Sequence, residues 1–168
     1  MNWNNVLIAL QDLIKAFMPQ TQPPTVSEQP PVDITHTDIM YPDWSTPHHA
    51  FHNTRVLCDF SGLTLAEKNI ICACIYQESG FDINAVNYNK NAQGKILSTD
   101  YSLCQINDYY HIGQGKDFPS VQFVLDNPQK AVDWMIKMYK NGLLKMWVSY
   151  SSKAYLHWLK DGSPMWKL

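Results

Sequence analysis

No apolar run in this 168-residue chain reaches the roughly 20 residues that a helix needs to cross a bilayer. The longest candidate, Val6 to Phe17, is interrupted by Gln11, Asp12 and Lys15. It lacks a positive lead-in and no small-residue cleavage site follows it, so no signal peptide is expected. Neither Cys-x-x-Cys nor a mixed Cys/His zinc spacing occurs, which argues against a structural metal. There is no phosphate-binding glycine loop and no serine elbow, which removes the commonest nucleotide and serine-hydrolase chemistries. The formal net charge is only −2, so nothing global demands nucleic acid as a partner. No internal repeat is visible.

What is present is an apolar fraction of 45%, enough to bury a sizeable core, in a length suited to one domain. Charge is unevenly spread. Residues 1–47 are acidic, whereas Lys130, Lys137, Lys140, Lys145, Lys153, Lys160 and Lys167 face only Asp133 and Asp161. A basic end of this kind suits either a solvated helix face or long-range attraction of an anionic polymer. The cysteines, Cys58, Cys72, Cys74 and Cys104, read as buried thiols, with one bridge through Cys58 or Cys104 left open for an oxidising compartment. His48, His49 and His52 cluster, and His49 can share a helix face with His52, but further ligands at metal spacing are missing.

Three regions follow from periodicity and punctuation. Val6, Leu7, Leu10, Leu13, Ile14 and Phe17 predict an amphipathic helix over 1–18. Seven of the ten prolines fall between Pro19 and Pro47, which predicts an extended tether over 19–47. The packed domain is expected over 48–168. Within it, Leu63–Ser79 is the clearest helix, with a Thr64/Glu67 capping box, an inward stripe of Ile70, Ile71, Cys74 and Ile75, and Gly80 as its stop. Residues 84–107 predict a small antiparallel sheet or irregular hairpin turning near Gly94. Asn127 is placed as the cap of a helix whose first residue is Pro128 and whose apolar face carries Ala131, Met135, Met138 and Tyr139. A last helix is expected over about Trp147–Leu159. The fold class is therefore α+β, mainly α.

Glu78 draws attention by position. It follows Ile71 by seven residues, Cys74 by four and Ile75 by three, so its carboxyl falls on the apolar stripe in the helix's last turn. Low dielectric and the negative end of the helix dipole both favour the neutral acid there. A proton-bearing carboxyl is what a glycosidic oxygen needs from its donor. Asp100 stands among Ser98, Thr99 and nearby asparagines, a setting that suits the ionised form. Two carboxyls in unlike surroundings match a division between acid and base.

The run Tyr76-Gln77-Glu78-Ser79-Gly80-Phe81, then Asn87 and Asn89, then Ser98-Thr99-Asp100-Tyr101-Ser102-Leu103-Cys104-Gln105-Ile106-Asn107 resembles the lysozyme superfamily. The Glu-Ser helix end is similar to both animal-type lysozymes and lytic transglycosylases. The Ser-Thr-Asp-Tyr run is most similar to animal-type lysozymes and is shared by phage and conjugation muramidases. Trp147-Val148-Ser149-Tyr150 resembles the late aromatic motif of transglycosylases. The likeness covers about residues 58–158.

The resemblance implies a lysozyme-like catalytic domain with a cleft between the Glu78 helix and the hairpin. It implies Glu78 as general acid and Asp100 as second carboxylate. Gln105 and Asn107 would contact substrate or fix the strand, and Tyr150 would orient the site. Candidate sugar-facing aromatics are Tyr101, Tyr109, Tyr110 and Tyr150. No metal or organic cofactor is implied. The implied substrate is bacterial peptidoglycan, cut between N-acetylmuramic acid and N-acetylglucosamine. The alternatives are a lytic transglycosylase giving an anhydro product, and a non-catalytic glycan-binding or virion structural protein on the same scaffold. Family analogy also implies a larger assembly, a phage particle or a conjugation apparatus, held through the N-terminal helix, and action directed at the cell wall. Three departures stand out. The Glu-to-Asp separation is longer than in animal lysozymes, Ser102 stands where the motif usually has Gly, and Ser151 follows Tyr150 where transglycosylases usually have Asn. The animal-lysozyme cysteine framework is also missing.

Overall fold

The computed structural model describes residues 40–59, 62–160 and 163, all within one compact unit, His36–Leu168. The helix expected over 1–18 lies outside the described residues, as does the tether up to residue 39. Among the described residues no helix is long and apolar enough to cross a membrane.

Packing begins before the helix that opens the domain. Met40 and Trp44 already lie against the core. The reason is Asn53, fully buried on helix α1 (Pro47–Asp59). Its Oδ1 accepts from the Tyr41 N–H at 2.7 Å, and its Nδ2 donates to the carbonyls of Tyr41 and Asp43 at 3.2 and 3.0 Å. One amide thus satisfies three backbone groups and folds the end of the tether onto α1. The histidine cluster joins the same corner. The Tyr41 ring stacks on His49 at 4.0 Å and meets His52 edge-on at 4.8 Å. His49 Nδ1 bonds Asp43 at 2.8 Å, and this bond, helped by Ser45, lowers the Asp43 carboxyl to about 2.

Helix α2 (Leu65–Ser79) starts at a complete capping box: Glu67 N–H donates to Thr64 Oγ1, and Thr64 N–H donates to Glu67 Oε2. Those bonds to Thr64 also lower the Glu67 pKa. It stops at Gly80, which takes the left-handed conformation (φ 63°) and donates its N–H to Tyr76 O. The expected inward stripe is too narrow. Ile71, Cys72, Ala73, Cys74 and Ile75 are all fully buried, so the middle of α2 is enclosed on every side, while Leu65 and Gln77 towards its ends are exposed. Its neighbours are α1, the short helix α6 (Val148–Ser151) and the 3-10 segment Ala154–His157. A helical stretch that is apolar all round belongs at the centre of a fold.

After α2 the chain forms a three-stranded antiparallel sheet in the order β1 (Val86–Lys90), β2 (Ile96–Tyr101), β3 (Ile106–Asn107). The β1–β2 turn contains Gly94 at φ 79°, where the sequence places it. Helices α3 (Asp108–His111), α4 (Val121–Asp126) and α5 (Pro128–Lys140) follow. Pro128 opens α5, but Asn127 does not cap it through its side chain. The amide Nδ2 instead donates back to Phe123 O at 2.8 Å and closes α4. Two helices compete for one side chain, and a carbonyl on the preceding turn wins.

The single helix expected over 147–159 is divided. Lys153 adopts φ 61° between α6 and the 3-10 segment. Just before it, the hydroxyl of Ser152 donates to Val148 O at 2.6 Å, and that of Ser151 reaches the same oxygen at 3.4 Å. Serine hydroxyls that bond the preceding turn weaken continuation of a helix. All four cysteines are buried thiols, and no disulfide joins them. The hydrogen bond shared with Cys72, followed by burial, pushes the Cys58 thiol well up.

Candidate active site

One cleft, about 580 Å³ in volume, lies between the end of α2, the sheet and the start of α6. That size suits a saccharide segment rather than a single ion. Glu78 and Asp100 both line it, as do Gln105 and Asn107. The structure therefore brings together five of the eight residues singled out in the sequence, the fifth being Tyr110. Tyr101 and Tyr150 are not among the lining residues. Both are half-buried and pack on the core, with Tyr150 stacked on Tyr155 at 5.1 Å. Burial raises the Tyr150 pKa, in keeping with a phenol turned to packing.

Glu78 reaches the cleft because Gly80 ends the helix two residues later, leaving the last turn at the domain's interior edge. Its Oε1 accepts from the Ser149 backbone N–H at 3.2 Å, at the start of α6. Beneath it are the thiols of Cys74 and Cys104. Burial pushes both well up and the Glu78 charge adds to the effect, so both remain protonated, uncharged neighbours. One side of the Glu78 carboxyl is therefore apolar and the other open to the cleft.

Asp100 is presented by strand register. Asp100 pairs with Asn87 across β1–β2 and with Asn107 across β2–β3, while Ser98 pairs with Asn89. Directly opposed residues share a face, and so do alternate residues along a strand. Asn87, Asn89, Ser98, Asp100 and Asn107 thus make one polar face. Asn107 Nδ2 donates to Asp100 Oδ1 at 2.6 Å, and Asn89 Nδ2 donates to Asp100 Oδ2 at 2.8 Å. Each carboxylate oxygen has a fixed amide donor. Gln105 supports the same face from behind. Its Oε1 accepts from Asn87 at 2.6 Å and its Nε2 donates to Ser102 O at 2.7 Å.

The β2–β3 connection carries strain. Ser102 and Gln105 have φ values of 67° and 50°, in the left-handed region that side chains avoid. Ser102 is fully buried, and its hydroxyl has no partner among the described residues. The Ser-for-Gly departure therefore sits where positive φ is required. The strained turn is tied down by Trp147, whose indole N–H donates to Cys104 O at 2.7 Å.

Sequence reasoning missed much of the wall. Trp134, Trp147 and His111 line the cleft in ring contact with one another: His111–Trp134 at 4.6 Å and Trp134–Trp147 at 5.3 Å. Exposed Met146 and Val148 make the rim together with Tyr110, which the sequence had named among the candidate aromatics. Tyr109 stays outside the lining, edge-on to Tyr110 at 4.9 Å. Trp134 falls on the core face of α5, and periodicity cannot distinguish a cleft wall from a core. For His111 the signal was present but short: a histidine closing an aromatic run just after Asn107.

Two unlike carboxyls on facing walls of one saccharide-sized cleft set the context for comparison with known proteins. The chain is 34% identical over 90 residues to Lysozyme C of Trichosurus vulpecula. The likeness is to a lysozyme. It covers 48% of this chain and 58% of that protein, so the chain spans less than two thirds of its relative's length. No family model matches.

Proposed function

We propose that the chain is a muramidase that hydrolyses the β-1,4 bond between N-acetylmuramic acid and N-acetylglucosamine in bacterial peptidoglycan. The observation that carries the reading is the joint lining of one cleft by Glu78, set over buried thiols, and Asp100, held by two amides. Likeness to Lysozyme C supports the same chemistry.

In this reading Glu78 gives its proton to the bridging oxygen as the C–O bond breaks. The Ser149 N–H fixes one carboxyl oxygen and leaves the other for the substrate. Positive charge grows on the sugar across from Asp100, whose negative charge stabilises it. Because Asn89 and Asn107 already hold both Asp100 oxygens, little reorganisation accompanies that step. Water then adds to the sugar carbon and returns a proton to Glu78, which restores the starting state. The exposed faces of Tyr110, Met146 and Val148 offer an apolar rim against which sugar rings can lie.

Hydrolysis is preferred to transglycosylation on a specific observation. Asp100 lines the cleft, whereas Tyr150, the residue of transglycosylase likeness, is stacked on Tyr155 outside the lining. We further propose that the activity is directed at the cell wall and that residues 1–47 attach the domain to a larger assembly. Digestion of purified peptidoglycan with mass readout tests the reaction. Fragments carrying one added water are expected. Anhydro fragments from wild type, with Asp100→Asn nearly as active, would favour the transglycosylase. Binding without cleavage would favour a non-catalytic scaffold.

A further inference from the structure

His111 closes α3 and lines the same cleft as Glu78 and Asp100. Its Nδ1 is 2.9 Å from Asp117 Oδ2. A carboxylate only accepts, so Nδ1 donates to Asp117, and the tautomer that this bond selects carries the lone pair on Nε2. Asp117 is not among the lining residues, so the ring edge left for the cleft is the one carrying Nε2. No hydrogen bond to Nε2 is made among the described residues.

The placement of Asp117 is built into the backbone. Phe118 N–H donates to His111 O at 2.9 Å, and Gly113 N–H donates to Phe118 O at 2.8 Å. Ile112 and Phe118 form a parallel bridge, and both side chains are buried. Gly113 and Gly115, at φ 136° and 75°, allow the loop to close on itself. Lys116 Nζ caps the carbonyls of Asp108 and Tyr109. Trp134 packs edge-on against the imidazole at 4.6 Å and fixes its plane. The ring is therefore held by a carboxylate on one edge, an indole on its side and a closed loop beneath it.

We propose that His111 is a substrate-binding residue whose Nε2 accepts a hydrogen bond from an O–H or amide N–H of the saccharide in the cleft. Asp117 is its positioning residue and sets the tautomer. The assignment rests on the reading of the cleft as a saccharide site, and the experiment separates the two. The probe is a β-1,4 trisaccharide of N-acetylglucosamine, with its affinity for the full chain followed by tryptophan fluorescence. His111→Phe keeps a ring against Trp134 and removes the acceptor. It should weaken binding about fivefold to tenfold, the scale of one neutral hydrogen bond. His111→Gln, which restores an acceptor near Nε2, should recover part of that loss. Imidazole ¹⁵N spectra of wild type should show the Nδ1–H form, and Asp117→Asn should mix the tautomers and weaken binding less than His111→Phe. Wild-type binding with undiminished affinity in folded His111→Phe would overturn the assignment and leave the cleft reading intact. A wild type that bound no trisaccharide would overturn both.

Discussion

At the residue scale, Ser102 shows how a local conflict marks an important turn. A side chain at φ 67° costs about 1–2 kcal/mol relative to glycine, and a buried hydroxyl without a partner costs about 1–3 kcal/mol more. Glycine's greater freedom in the unfolded chain offsets about 0.5–1 kcal/mol of this. Ser102→Gly should therefore stabilise the protein by about 1–4 kcal/mol, raising Tm by at least a few degrees in a calorimetric scan. An unchanged or lower Tm would mean that the turn does not hold the strain. The expectation was legible in the sequence because the surrounding motif usually has glycine there. What could not be read was burial. Nothing in the spacing of Trp134 or Trp147 says that their rings face a cleft, because a wall and a core use the same apolar side chains. Tyr101 and Tyr150 show the converse, since both lie outside the cleft lining. Each looks like a sugar platform by composition, and each packs on the core.

At the element scale, local chemistry was read most reliably where one signal acted alone. The capping box at Thr64 and the glycine stop at Gly80 bound α2 as the sequence implies. Where two signals compete, the sequence underdetermines the outcome. Asn127 could cap α5 or close α4 and does the latter, and the serines after α6 break the last helix. The polar face of the sheet is legible only in hindsight, since it depends on register that places Asn87 and Asn107 on either side of Asp100. The end of the proline-rich segment also behaves as part of the domain. Chains beginning at Met40 and at Pro47 should differ, because only the shorter one strands the buried Asn53 amide. A loss of about 2–4 kcal/mol is expected from that amide and from the contacts of Met40 and Trp44. Equal denaturation midpoints in urea would show that the segment adds nothing.

At the scale of the whole molecule, the fold class and the pairing of Glu78 with Asp100 were legible because short motifs occur in a fixed order along the chain. A helix ending in Glu-Ser-Gly, an asparagine-rich strand and a Ser-Thr-Asp strand meet only if the sheet folds back over the end of α2, and it does. Other features of the long-range arrangement depend on tertiary contacts: the enclosure of the middle of α2 on all sides, the Trp147–Cys104 tie and the closed loop behind His111. The central claim is that Glu78 supplies the proton to a glycosidic oxygen in this cleft. Its most direct test compares turnover of purified peptidoglycan by wild type and by Glu78→Gln, with folding of both checked by circular dichroism. Removing a general acid should cut the rate by about 10²–10⁴-fold while leaving saccharide binding in place. Cell-wall degradation by folded Glu78→Gln at the wild-type rate would contradict the account.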